Sequence, residues 1–394
     1  MEQQLARGPV DLPFLMLVLF LVGIGLIAVF SASYASAYYD PKISSPLYYI
    51  KRQTGFAILG LFGMYLSSKF NYQYYRALCI PILLVVILLL LLVLTPLGVE
   101  INGAQRWLNL AIVAGPTYQP SELAKVAVIL FFAARLSKRN TEKRKTYSKK
   151  SFVGKAFNLF EKIGLMELFP YIGVLGVVLL LVLKEPHMSG TILILLGAAA
   201  VLFAAGISIW YFLVGILGVG GLLVLIIQTT DYMTRRIDLW RNPWADPQDA
   251  GFQTIQSLLA IGSGGLLGLG LGKSRQKFLY VPEPENDFIF PIVVEELGFV
   301  GGCIVLILFM LLILRGYWLA LHARDKFGSL VIVGIITLLA GQVFFNIGVV
   351  TNFIPNTGIS LPFFSYGGTA LLIHLVEMGI ILSVSRQIPA PRKD

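Results

Sequence analysis

Apolar residues along this chain run in long blocks and do not alternate. Windows dense in Leu, Ile, Val, Phe and Ala fall at about 13–31, 54–68, 77–97, 119–136, 168–184, 189–206, 208–228, 289–314, 328–350 and 367–385. A helix crossing a bilayer takes about 20 apolar residues, whereas a buried strand takes only about 4–8. The pattern therefore predicts ten membrane-spanning helices. The second, fourth and fifth windows are short, at about 15–18 residues. The first is too long, and runs too directly into further spans, to read as a cleaved leader.

Polar residues between the windows set the orientation. With the N-terminus in the cytoplasm, 19 of the 31 Lys and Arg residues fall on the inner side and 11 on the outer, with Lys125 inside a span. Cytoplasmic loops carry the excess of positive charge, so both termini are expected in the cytoplasm. The connection between the fourth and fifth windows, residues 137–166, decides the matter, because ten basic residues lie between Arg135 and Lys162. Within it Phe152, Ala156, Leu159 and Phe160 share a helical face flanked by Lys155 and Lys162. Such a segment suits an anionic inner leaflet, although a plain topogenic loop explains it equally well.

Composition agrees with a membrane protein. The 394 residues are 57% hydrophobic and 13% charged, with a mean hydropathy of +0.79. Soluble domains carry about 25% charged residues, so this chain cannot cover soluble domains of its length with polar surface. Disorder is excluded by the same apolar content. The net charge of +10 does not indicate nucleic acid, because the basic residues form no face of a soluble domain. Cys79 and Cys303 both sit in apolar runs, which excludes a disulfide framework. His187, His322 and His374 are scattered without metal-ligand spacing. The whole of 1–394 reads as one integral membrane domain.

The longest outer connection, residues 229–288, begins with Arg235, Arg236, Asp238, Trp240, Arg241 and Trp244. It continues as an apolar stretch from Gly251 to Gly272 that holds seven glycines. Glycine costs about 1 kcal/mol per helical site relative to alanine. The expectation is a re-entrant or interfacial helix ending near Ile261, then a glycine turn that lets backbone approach a ligand.

Ionisable groups in or beside a span are costly and functional by default. Glu122 and Lys125 share a face of the fourth span and form either a self-neutralising pair or the polar floor of an outward cavity. Arg106 stands beside Trp107 in an outer loop, either as an anionic-headgroup ligand or as part of an interfacial anchor. Asp287 lies where the outer loop re-enters the membrane, after Glu283 and Glu285 and before Glu295 and Glu296. A carboxylate among carboxylates at an apolar rim should hold its proton more tightly, which suits a general base or a divalent-cation ligand with Glu283. Capping of the eighth span is the competing explanation. The last outer loop, from Asn346 through Thr357 and Ser365 to Thr369, is uncharged and broken by Pro355, Pro362 and Gly367-Gly368. Irregular backbone at membrane depth is tolerated only inside protein or along a polar cavity, so this loop, the glycine turn and the 283–287 carboxylates are expected to converge.

These segments together closely resemble the SEDS family, the FtsW/RodA/SpoVE proteins of bacteria. The resemblance lies in Asn102-Gly-Ala-Gln-Arg-Trp107, Gln119-Pro-Ser-Glu-Leu-Ala-Lys125, the stretches 253–272 and 274–277, Pro282 to Gly298, and Thr357-Gly-Ile-Ser-Leu-Pro-Phe-Phe-Ser-Tyr-Gly-Gly368. It covers essentially the whole chain, and Gly272-Lys-Ser-Arg-Gln-Lys-Phe278 places it nearer the FtsW and SpoVE branch. His187 stands where an aspartate is common, so no role is carried over for it.

The resemblance implies a ten-helix all-α bundle with cytoplasmic termini in the bacterial cytoplasmic membrane, its active site facing outside. It implies polymerisation of lipid II into glycan strands, for septal or sporulation wall synthesis. A class B penicillin-binding protein and other divisome or sporulation membrane proteins would be its partners. Asp287 falls on the family's essential aspartate. The implied chemistry is inverting transfer with an undecaprenyl diphosphate leaving group, Asp287 acting as base or metal ligand. Arg106, Glu122, Lys125, Gln253, Gln256, Ser257, Glu283, Thr357 and Ser365 are the expected substrate-binding set. No cofactor is obligatory; a divalent cation (Mg or Mn) at Asp287 and Glu283 is the option that chemistry leaves open. Two other classes compete: a lipid II flippase or transporter, and a non-catalytic scaffold for the penicillin-binding protein.

Overall fold

The computed structural model describes residues 8–41, 43, 45–101, 104–109, 117–139, 165–229, 237–248, 251–278 and 280–388. The basic segment of loop 137–166 lies outside the described residues from 140 to 164, as do Asn102, Arg235 and Arg236.

Each apolar window overlaps a helix. These are α1 (Leu12–Tyr39), α2 (Tyr48–Lys69), α3 (Gln73–Val93), α4 (Pro120–Leu136), α5 (Leu165–Lys184), α6 (Met188–Ala204) and α7 (Ile209–Thr229), then α9 (Ile289–Leu321), α10 (Lys326–Val350) and α11 (Gly368–Ser385). Between them lies α8 (Phe252–Ser263), a helix in the stretch where the sequence predicts one ending near Ile261. Five of these helices, α1, α3, α9, α10 and α11, are long and apolar enough to cross a membrane.

The short windows have a physical reason. Nearly every side chain of α4 is buried, Glu122 and Lys125 among them. A helix wrapped by other helices meets little lipid, so it need not be uniformly apolar. Helix α2 opens with Lys51, Arg52 and the fully buried Gln53, whose side chain binds the 365–367 backbone. Helix α10 touches α4, α6, α8, α9 and α11 and is the central post of the bundle.

The expectation of an all-α chain needs one correction. A three-stranded antiparallel sheet, β1 (Gly98–Ile101), β2 (Ala104–Asn109) and β3 (Thr117–Tyr118), fills part of the connection before α4. Its first two strands pair Val99 with Trp107 and Glu100 with Gln105.

The glycine turn also does something other than expected. Inside α9, Gly298 adopts φ 73° and ψ −177°, which breaks the helix. In an unbroken helix Phe299 and Val300 would donate to the carbonyls of Glu295 and Glu296. Instead Phe299 N donates to Gly265 O (2.8 Å) and Val300 N to Leu266 O (3.2 Å). The vacated carbonyls accept from Leu269 N (3.0 Å) and Gly270 N (2.9 Å). The loop thus replaces the lost helical bonds, as apolar surroundings require. The approach needs glycine: a Cβ on Gly268 would meet Glu296 O at 2.2 Å, and one on Gly298 would meet Gly268 N at 2.3 Å. The backbone that the glycines admit is that of α9.

Connections gather at two ends of the bundle. At one end Gly8 N donates to Arg386 O (2.9 Å), the Arg315 guanidinium grips both Asp11 oxygens, and Tyr72 donates to Asp325 (2.7 Å). At the other end Arg106 donates to Glu185 O, Ser189 to Thr357 O, Trp240 to Asn352 O, Asn346 to Asp287 O and Asn356 to Gln253 Oε1.

Candidate active site

The turn Pro282–Phe288 feeds α9 and carries the acidic residues. Tyr366 N donates to Glu285 O (2.7 Å), and Asn286 N donates to Glu283 O (3.0 Å). The Glu285 carboxylate is buried and accepts from Ser36 Oγ (3.1 Å) and the Tyr49 hydroxyl, so it braces the turn against α1 and α2. Burial pushes its pKa up from the usual carboxylate value. Glu283 is exposed in a left-handed conformation (φ 45°) and accepts from Asn286 Nδ2 (2.8 Å).

Asp287 is half-buried. Its Oδ2 lies 3.6 Å from where a Cβ on Gly358 would stand, and its main-chain oxygen accepts from Asn346 Nδ2 (2.7 Å). Burial raises its pKa to about 6; its own backbone N–H opposes this and nearby Glu283 adds to it. A carboxylate in that range is ionised at neutral pH yet basic enough to take a proton.

Beside this turn lies a cavity of about 740 Å³, walled by the start of α2, by β2, by the starts of α4 and α6, by Gln342, and by loop 358–371. Asn286 and Gly358, the neighbours of Asp287 in sequence and in space, line it. Three cations also line it: Lys51, Arg52 and Arg106. Arg52 stacks on the Tyr48 ring at 4.4 Å and hydrogen-bonds Tyr366. Arg106 donates to the carbonyls of Glu185 (Nε, 3.2 Å) and Pro186. The cavity therefore offers positive charge at one wall and a basic carboxylate at its edge.

Glu122, His187 and His374 form the deeper polar lining. Glu122 holds Lys125 at 2.7 Å, Ser121 Oγ pairs with His187 Nδ1 at 3.0 Å, and His374 Nδ1 with Glu377 at 3.0 Å. Burial lowers the His187 pKa to about 4, with Glu122 opposing and Arg106 and Lys125 reinforcing the shift. His187 is neutral at pH 7.

The expected substrate-binding residues separate into groups. Arg106, Glu122 and Ser365 line the cavity. Lys125 is spent on Glu122, is 2% exposed and is not among the lining residues. Ser257 is fully buried and donates to Val350 O (2.7 Å), which anchors α8 to the end of α10. Gln253 links Pro282 O and Asn356, and Gln256 is half-buried on the same helix. Thr357 accepts Ser189 Oγ on its main-chain oxygen (2.7 Å). Glu295 and Glu296 are engaged elsewhere. Glu296 holds Lys277 (2.9 Å) and Ser31 (2.6 Å), while Glu295 accepts from Ser274, Ser263 and Arg275 N. Sequence reasoning missed Lys51 and Arg52, which it counted only toward orientation. Two cations at the start of an apolar span were the available signal.

Comparisons with known proteins agree with this geometry. The family model described as cell cycle protein, FtsW/RodA/SpoVE, matches residues 12–389. Stage V sporulation protein E of Bacillus subtilis is 41% identical over 95% of this chain and 97% of its own length. A probable peptidoglycan glycosyltransferase FtsW of Geobacter metallireducens is 40% identical over 96% of this chain and 95% of its own. Among solved structures, a chain from a study of polymerization and crosslinking by a peptidoglycan synthase complex aligns with a TM-score of 0.74 at 29% identity, covering 96% of this chain and 98% of that one. RodA of Thermus thermophilus aligns with a TM-score of 0.65 at 28% identity, covering 96% and 97%. With relatives matched end to end in both sequence and fold, this multi-pass membrane protein belongs to the FtsW/RodA/SpoVE family.

Proposed function

We propose that the chain is a peptidoglycan glycosyltransferase that polymerises lipid II at the outer leaflet, with Asp287 as its base. The observation that carries the reading is the placement of Asp287 at the edge of a cavity lined by Lys51, Arg52 and Arg106. Full-length similarity to peptidoglycan glycosyltransferases supports the same activity.

The reaction follows from those groups. The acceptor's 4-hydroxyl attacks C1 of the donor sugar, and Asp287 takes the hydroxyl proton as the new bond forms. Undecaprenyl diphosphate leaves with the electron pair of the broken C1–O bond, and the anomeric centre inverts. Single displacement of this kind needs one base on the acceptor side. A diphosphate leaves as an anion and needs charge stabilisation more than a proton. Arg52, Lys51 and Arg106 supply that charge. Glu122 and Ser365 are the members of the expected set that the cavity offers to the sugars; Gln253, Gln256 and Thr357 stand outside its lining. The prenyl tails lie between helices, so both substrates enter from the bilayer.

Among the described residues no group of three or more His, Cys, Asp or Glu side chains is arranged to hold a metal ion. Glu283 and Asp287 are the two carboxylates offered to a divalent cation such as Mg or Mn, whose other ligands would be diphosphate oxygens and water. Such an ion would neutralise charge on the leaving group.

The topology completing this reading has ten spans, both termini in the cytoplasm and Asp287 outside. It is supported by the ten windows coinciding with helices, by the positive-charge bias, and by the gathering of loops at two ends. A class B penicillin-binding protein is the partner that would cross-link the strands, and the likeness to a chain of a peptidoglycan synthase complex supports it.

The test is polymerisation of purified lipid II by Asp287→Asn and Asp287→Ala proteins that fold and bind the partner. A loss of about 10²–10⁴-fold is expected for removal of a general base; undiminished glycan synthesis would sink the assignment. The polar groups at Glu122, His187 and His374 favour one competitor, transport of the lipid across the bilayer. Lipid II flipping by reconstituted protein, preserved in Asp287→Asn, would establish that competitor.

A further inference from the structure

Asn346 lies one turn before the end of α10 and is 1% exposed. Its Nδ2 donates twice, to the main-chain oxygen of Asp287 at 2.7 Å and to that of Ile359 at 2.8 Å. The two carbonyls belong to the two segments that border the cavity at this corner, since Asn286 lines it from one and Gly358 and Ile359 from the other. Gly358 takes a left-handed conformation (φ 65°) and donates its N–H to Asn356 Oδ1 (3.1 Å), which presents its bare Cα toward the Asp287 carboxylate. Whatever fixes Ile359 relative to Asp287 therefore fixes the surface against which that carboxylate stands.

A primary amide has two hydrogens on one nitrogen and can hold two acceptors at once; a hydroxyl has one, and an ionised carboxylate none. Gln342 carries the same amide one turn earlier on α10, yet it lines the cavity. The double donation belongs to position 346.

We infer that Asn346 is a positioning residue that clamps the Asp287 turn to the 357–360 loop and so holds the Asp287 carboxylate at the cavity edge. The inference rests on the reading of Asp287 as the base. Misplacing a reacting group by about 1 Å costs about 100-fold in rate. Asn346→Ala should therefore lower kcat by about 10–100-fold. KM should stay within about twofold, because Lys51, Arg52 and Arg106 are untouched. Asn346→Ser retains one donor and should fall between native and alanine.

The experiment measures initial rates against lipid II concentration for the full-length chain with its penicillin-binding partner, with thermal unfolding followed on the same preparations. A drop in kcat at nearly constant KM, graded from Ser to Ala, supports the clamp. A native kcat in folded Asn346→Ala, or a loss confined to KM, overturns it. Should the alanine protein fail to fold, a native kcat in Asn346→Ser overturns it as well. Asp287→Asn run in parallel separates the two ideas. Full activity there removes the base reading itself, whereas an inactive Asp287→Asn beside an unimpaired Asn346→Ala removes only the clamp.

Discussion

Asp287 and the Glu295–Glu296 pair stand about two helical turns apart, and the protein treats them in opposite ways. Glu295 and Glu296 are almost fully buried, and their oxygens are occupied by Ser263, Ser274, Arg275 N, Ser31 and Lys277. Asp287 is half-buried, and its carboxylate is held by its own backbone N–H beside the cavity. The difference lies in where the partners come from. The broken helix at Gly298 brings the 264–277 loop onto Glu295 and Glu296, and donors arrive with it. The turn carrying Asp287 meets Gly358, which brings no side chain. The Glu295–Glu296 pair locks the fold; Asp287 stands beside the cavity with its own backbone N–H as partner.

The largest structural effect should come from breaking the locked pair. Lys277→Met leaves Glu296 buried without its cation, and stranding one partner of a buried pair costs about 3–5 kcal/mol. Thermal unfolding in detergent should show a large loss of stability, while Asp287→Asn should unfold near the native temperature. Equal behaviour of the two variants would show that Lys277 and Asp287 contribute alike to the fold.

The pH dependence of turnover sharpens the comparison from the active side. A base works only when ionised, and the Asp287 pKa stands at about 6. Glycan synthesis should fall as pH drops below about 6, approaching tenfold per pH unit. A rate independent of pH between 7 and 5 would contradict a base with that acidity.

Glu185 supplies the most specific test. It is fully buried, as Glu295 is, but both its carboxylate oxygens lack hydrogen-bond partners. Burial raises its pKa from 4.5 to about 8, with Arg106 opposing. Between those values the folded state keeps a proton that the unfolded state has lost, so this group makes stability fall as pH rises from 4.5 to about 8. Glu185→Gln removes that slope. Its unfolding temperature should match the native one near pH 4.5 and exceed it by a growing margin up to pH 8. Parallel pH profiles for the two proteins would show that Glu185 is not held protonated.

The periodicity of apolar residues carried the helices, because burial of a spanning segment leaves a mark on every residue within it. The short fourth window was also legible, though its cause was not: α4 is encased by other helices, so Glu122 and Lys125 neutralise each other inside protein. The small sheet around Arg106 was missed because its strands are only two to six residues long. The resemblance puts Ser257 among the substrate ligands, yet its hydroxyl ties α8 to Val350.

What the sequence by itself determined is the membrane class, the windows that become helices, and the one acidic residue worth testing first. Each of these is written locally, in runs of side chains or in a motif. Only the tertiary structure decided how each carboxylate is partnered, which glycine contacts are made to protein, and which cations line the cavity beside Asp287. Those outcomes depend on donors and acceptors that lie far apart in sequence, such as Ser31 with Glu296, Arg52 with Tyr366 and Asn346 with Asp287. A hydrogen bond is satisfied or left open by what folding places within about 3 Å, and no pattern along the chain records that distance.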